Sequence, residues 1–308
     1  MSENTTDKVE WLYGLEEYFL FTNKEHFAEH IHDFISLNYV DDPTTTLKKL
    51  ILKSQTLPAD IFSKHLNCYF NSGKKEFNLV EIASTLKDVT NDKLLNIIHA
   101  FARNNLDINQ LGDAFSKGQV RSKIWLIKEL SNVSTRYNNV MVLAGWYGQL
   151  KLFYDRLLTY HKMRIVDLDR TACEASDYIF NLSNLENYKV KSVCADINNL
   201  TCYKTGYEWD VTNFKEGTSY KEKFLPDLII NTSAEHMTEE WFNQIRFKEF
   251  ESNPIVAIQS NNMFNLPEHV NCVHSVNHMK KKFPMKEILF EGELQLKGYK
   301  RVMLIGRP

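Results

Sequence analysis

Gly145 and Gly148 follow an apolar run, Val140-Met141-Val142-Leu143, and a second apolar run ends in Asp167 and Asp169. Glycine lets a backbone turn come close to a ligand, and an acid at the end of the next strand can accept hydrogen bonds from ribose hydroxyls. Strand, glycine turn, helix, strand, acid is the order by which an α/β sheet holds an adenosine-bearing cofactor. Gly145 and Asp167 are 22 residues apart, close to the roughly 20 of such units. Each group also has a plain structural use. The glycines can end a strand and tighten its packing on a helix, and Asp169 can cap a helix starting at Thr171. Asp167 is therefore the preferred ribose acid, with Asp169 second.

Two further loops carry chemistry. Cys194-Ala195-Asp196-Ile197 closes a third apolar run, although Asp196 also suits the turn before Asn198-Asn199. Asn231-Thr232-Ser233-Ala234-Glu235-His236 follows a fourth. A histidine there can take a proton from an attacking hydroxyl or amine near neutral pH. His269, His274 and His278 recur near Cys272, but in a segment broken by Asn and Pro and without an H-E-x-x-H pattern. Solvated or partly buried histidines and no metal are expected. Lys280-Lys281-Lys282 reads as a solvated face. Gln259-Ser260-Asn261-Asn262 can orient a polar ligand or hydrogen-bond its own loop, and both readings stand.

These residues need elements to position them. From Lys8 to about Ser131 apolar residues recur at helical spacing, as in Phe27, Ile31, Phe34 and Ile35, and the stretch ends in KIWLIKELSNV. After Tyr137 strands alternate with helices. The expected strands are Val140–Ala144, Met163–Val166, Val190–Cys194, Leu228–Asn231, Ile255–Gln259 and Arg301–Gly306. The expected helices are Gly148–Tyr160, Thr171–Asn181 and Thr238–Arg246. Such alternation implies a mainly parallel sheet covered on both faces. Glu287–Leu296 and Lys300–Gly306 flank Lys297-Gly298-Tyr299 with no helix between, which predicts a C-terminal antiparallel hairpin. The fold class is α/β and Rossmann-like, with an all-α N-terminal domain over 1–134 and the cofactor domain over 135–308.

Composition excludes several classes. A net charge of −2 across 308 residues exerts no global pull on nucleic acid. The longest apolar runs are far short of a membrane span, and the polar start has no secretory core, so a cytoplasmic protein is expected. Five scattered cysteines without a C-x-x-C pair argue against a disulfide framework.

The succession AGWYG, DLD, CADINN and INTSAEHM at four strand ends resembles the class I S-adenosylmethionine-dependent methyltransferase superfamily, and the terminal hairpin strengthens the likeness. The resemblance covers about Asn138 to Pro308. It implies S-adenosyl-L-methionine as cofactor. Gly145, Trp146 and Gly148 would hold the methionine moiety, Asp167 or Asp169 the ribose, and Asp196 with Ile197 the adenine. Asn231 and Thr232 would line the reaction side, and Glu235 with His236 would be catalytic. Asp227 matches the opening of the family's fourth strand. The sequence departs from the family in its bulky Trp146 and Tyr147, in lacking the usual first-strand acid, and in having no N-P-P-Y. The implied reaction is O- or N-methylation of a small molecule or other polar acceptor, with nucleic acid still open and no membrane partner. Transfer of the aminobutyl-carboxyl arm, as in nicotianamine-synthase-like enzymes, is an alternative. So are an NAD(P)-dependent oxidoreductase and a non-catalytic scaffold.

Overall fold

The structure, a computed structural model, describes residues 113–114, 116–181, 189–213 and 218–308. The helices expected before residue 113 lie outside the described residues. The predicted helix KIWLIKELSNV is present as α1 (Lys117–Val133). Residues 125–308 form one compact unit.

That unit is built on a seven-stranded sheet in the order β3-β2-β1-β7-β8-β10-β9. β1 (Asn139–Leu143), β2 (Lys162–Asp167) and β3 (Val190–Cys194) run outward on one side. The chain then crosses back, and β7 (Leu228–Asn231) and β8 (Ile255–Asn261) run outward on the other. All five are parallel. Continuous apolar runs, rather than alternating ones, mark strands covered on both faces. Val140 to Leu143 and Leu228 to Ile230 are accordingly buried without exception.

The C-terminal hairpin is observed, with one refinement. β9 (Glu287–Gln295) lies at the sheet edge, and β10 (Lys300–Arg307) inserts antiparallel between it and β8. Alternation distinguishes the two. β10 is buried over Arg301–Gly306, whereas β9 carries exposed charge at Glu287, Glu291 and Glu293. Charged residues blunt an edge that would otherwise template further pairing.

Helices α2 (Leu150–Leu157), α3 (Arg170–Asn181), α4 (Glu240–Lys248) and α5 (Val276–Lys282) connect the strands. α2 is shorter than expected at both ends. Gly148 sits at φ +72°, outside the helical region, and Leu158 is extended where the chain bridges Thr159 to Arg136.

A three-stranded antiparallel sheet, absent from the sequence reading, is inserted before β7. It comprises β4 (Thr201–Tyr203), β5 (Gly206–Asn213) and β6 (Thr218–Phe224). Tyr207, Trp209 and Val211 alternate with Glu208 and Asp210, and the apolar set joins a core with Trp241, Phe242, Ile245 and Phe250. Arg164 of β2 fastens this sheet to the main one, donating two hydrogen bonds to Glu222 Oε1, one of them 2.8 Å from Nε. Among the described residues, no helix is long and apolar enough to cross a membrane.

Candidate active site at the carboxyl ends of the strands

In an open α/β sheet, ligands bind outside the carboxyl ends of the strands where strand order reverses. Here the reversal lies between β1 and β7. The register puts the loops in one row. Leu143 is paired with Val166 on one side and Asn231 on the other, Asp167 with Cys194, and Asn231 with Ile258. Asp227, by contrast, belongs to the opposite end. Its carboxylate accepts from the backbone N–H groups of Asn138 and Asn139 at 2.7 and 2.8 Å, clamping the start of β1.

The turn after β1 is unusual in its backbone. Ala144 and Trp146 both have φ +47°, and Gly148 φ +72°. A left-handed non-glycine residue costs about 1–2 kcal/mol, so surrounding contacts must hold the turn. Gly145 N donates to Val166 O at 3.3 Å and Gly148 N to Gly145 O at 2.8 Å. Trp146 N donates to Asp167 Oδ2 at 2.7 Å. The first turn and the second-strand acid, separate in the sequence, are thus one hydrogen-bonded unit. Asp167 Oδ1 accepts from Asp169 N at 3.0 Å. A carboxylate offers about four acceptor positions, and the half-buried Asp167 keeps capacity for ribose hydroxyls.

Both glycines also have packing reasons. A Cβ on Gly145 would stand 2.4 Å from Ile165 Cγ2, and one on Gly148 2.7 Å from both Ser176 Oγ and Phe180. Trp146 is half-buried against the buried Tyr147 ring, with centroids 4.6 Å apart. Gln149 Oε1 is buried in the same turn and has no hydrogen-bond partner.

Asp169 and Asp196 are engaged in local caps. Asp169 Oδ1 accepts from Thr171 N and Ala172 N, starting α3. Asp196 accepts from Asn198 N at 2.9 Å and Asn199 Nδ2 at 3.3 Å, capping a single turn over Ile197–Asn199. Ile197 is buried in the core beneath that turn.

Beyond β7, Asn231 Oδ1 accepts from Ser233 N, and the Thr232 carbonyl accepts from Arg301 at 2.8 Å. Glu235 lies in the short turn Ala234–His236 and is turned inward, 2 % exposed. Its Oε1 accepts from Asn261 Nδ2 at 2.8 Å and pairs with Arg301 at 3.3 Å. Arg301, 3 % exposed, holds Glu235 and the Thr232 carbonyl in place and is a residue of the candidate site that sequence reasoning missed. The available signal was a cation next to the apolar run Val302–Ile305 of the terminal strand.

His236 is exposed, and its Nδ1 lies 3.3 Å from the Glu268 carbonyl oxygen. The His269 ring meets it edge-on with centroids 4.6 Å apart. Burial, then the neighbouring His236, holds His269 below the usual imidazole pKa despite the opposing pull of Glu235 and Glu268. Asn271 ties this loop to the strand end, its N–H donating to Glu235 O and its side chain to Met237 O. His274 and His278 are elsewhere, stacked on each other and on Phe264.

Fold and site together define a Rossmann-like α/β domain whose strand-end crevice carries a glycine turn linked to an acid. The sequence matches no family model and no curated protein sequence. Solved structures are similar over about three fifths of the chain. The N-methyltransferase NodS from Bradyrhizobium japonicum aligns at TM-score 0.43 and 9% identity, over 61% of this chain and 96% of that one. A SAM-dependent methyltransferase from Aquifex aeolicus aligns at TM-score 0.40 and 12% identity, over 60% and 92%. The [4+2]-cyclase SpnF aligns at 0.45 and 10%, over 62% and 82%. At this level of superposition no residue role is carried over.

Proposed function

We propose that this chain transfers a methyl group from S-adenosylmethionine to a hydroxyl or amine of a small polar acceptor. The observation that carries this reading is the Trp146 N–H to Asp167 bond at the sheet's reversal point. It makes the glycine turn and the ribose-binding acid one pre-positioned cradle. The unpartnered, buried Gln149 Oε1 in the same turn suits an ammonium group such as the methionine moiety carries. Asp196 retains acceptor capacity for an adenine amine, while Asp169 serves the helix.

The cofactor, when bound, supplies a methyl group activated on a sulfonium. The protein's part is to hold the acceptor in line with it, and such positioning supplies much of the acceleration. Glu235 is fixed by Asn261 and Arg301 and acts as a positioning residue. His236, exposed at the same strand end, is the side chain able to take the acceptor's proton.

Isothermal titration with S-adenosylmethionine and S-adenosylhomocysteine tests the reading. Both should bind, and Asp167→Asn, which keeps the side chain's shape, should weaken them at least about 10-fold, the loss of about 1.4 kcal/mol. Asp169→Asn should change affinity little. No binding of either ligand to the folded protein would sink the proposal. The product distinguishes the two transfers: methyl transfer leaves S-adenosylhomocysteine, and aminobutyl-carboxyl transfer leaves methylthioadenosine.

A further inference from the structure

Glu235, His236 and His269 come from two loops and converge. One donor atom from each lies within 4.8 Å of the others. Donors sharing one ion at about 2.0–2.2 Å each stand at most about 4.4 Å apart, so small side-chain adjustments are needed for the three to share an ion. We propose that these three residues bind a divalent transition-metal ion, a site independent of the cofactor cradle.

Four observations support it beyond proximity. Glu235 is 2 % exposed, and its Oε2 is fully buried without a hydrogen-bond partner. A desolvated carboxylate oxygen is costly unless something positive meets it. Arg301 and Asn261 engage the other oxygen, Oε1, and so fix the carboxylate's orientation. Metal-binding histidines commonly donate their second ring N–H to a carbonyl. His236 Nδ1 faces the Glu268 carbonyl at 3.3 Å in that manner, leaving Nε2 for an ion. The loop bringing His269 is anchored on Glu235 itself through the Asn271 N–H at 2.9 Å.

Two imidazoles and one carboxylate favour Zn2+, Fe2+, Co2+ or Mn2+ over Mg2+ or Ca2+, which prefer all-oxygen sites. Three protein ligands leave a position open to water or an acceptor oxygen, the arrangement of catalytic rather than structural sites. With the ion present, His236 is a ligand and not a base. The ion itself would lower the pKa of a bound hydroxyl.

Cobalt is the probe. The full, untagged chain, stripped with chelator, is titrated with Co2+ and followed by visible absorption. One ion per chain is expected, weakened at least about 10-fold in His236→Ala, His269→Ala and Glu235→Gln, and unchanged in His274→Ala. His269→Gln covers the case in which His269→Ala fails to fold. Wild-type protein that binds no cobalt overturns the proposal, as does His274→Ala weakening cobalt as much as His269→Ala. Titrating S-adenosylhomocysteine into the same preparations separates the two readings. Cobalt binding without nucleoside binding sinks the cofactor alone, and the reverse sinks the metal alone.

Discussion

Single residues at this strand-end row have more than one task. Gly148 is the clearest case. Its φ of +72° and the 2.7 Å approach of a hypothetical Cβ to Ser176 and Phe180 combine two penalties. Gly298, at φ +82° in the terminal hairpin, has open space around it. Gly148→Ala should therefore lose about 2–4 kcal/mol, strain plus overpacking. Gly298→Ala should lose about 1 kcal/mol, from strain alone. Chemical denaturation of both variants checks this, and equal losses would show that packing around Gly148 relaxes freely. The two acids of Asp167-Leu168-Asp169 separate by the same kind of reasoning. One accepts from the turn across the crevice, the other from its own helix.

At the scale of elements, the inserted sheet β4-β5-β6 hangs on the main sheet through Arg164 and Glu222, whose side chains are 4% and 13% exposed. Removing one partner of a largely buried pair leaves the other uncompensated, at roughly 3–5 kcal/mol, whereas replacing both with apolar groups is often neutral. Glu222→Ala should destabilise by that amount and raise hydrogen exchange in β5 and β6. The double variant Arg164→Met, Glu222→Leu should recover most of the loss. If the double variant is no better than the single one, the pair's geometry rather than its charge is what anchors the sheet. On the sheet's outer face, Glu208 sits between Lys221 and Lys223, which hold its carboxyl below the ordinary value. Both lysines are exposed, and pairs with such solvated partners add little to stability.

Over the unit of residues 125–308, the candidate site lies in loops at the carboxyl ends of the parallel strands. A ligand that binds only the folded form stabilises it by about 2.7 kcal/mol at 100 times its Kd. Saturating S-adenosylhomocysteine should accordingly raise the melting temperature, and Asp167→Asn should lower that increment as well as the unliganded melting point, because its single amide oxygen cannot accept from both Trp146 N and Asp169 N. An increment that survives the substitution would move the cofactor away from this crevice.

Local pattern made much of this legible. Apolar runs of four to six residues with turn residues after them specify buried parallel strands, and β1, β2, β3, β7, β8 and β10 all lie where the sequence puts them, to within two residues at each end. The glycine turn and Asp167 were visible because their chemistry is concentrated within one strand-helix-strand unit. The inserted sheet was missed although Tyr207, Trp209 and Val211 alternate in its sequence, because charged neighbours masked the pattern until Trp241 and Phe250 were brought against it. The sequence shows Glu235 and His236 as a pair, but not that His269 joins them. His269 lies 33 residues beyond His236, and no short-range pattern links it to the Glu235-His236 pair. Hydrogen bonding through Asn271 and the parallel pairing of β7 with β8 bring them together. Sequence periodicity determines which segments pair with the core, and only tertiary packing decides which distant side chains share a site.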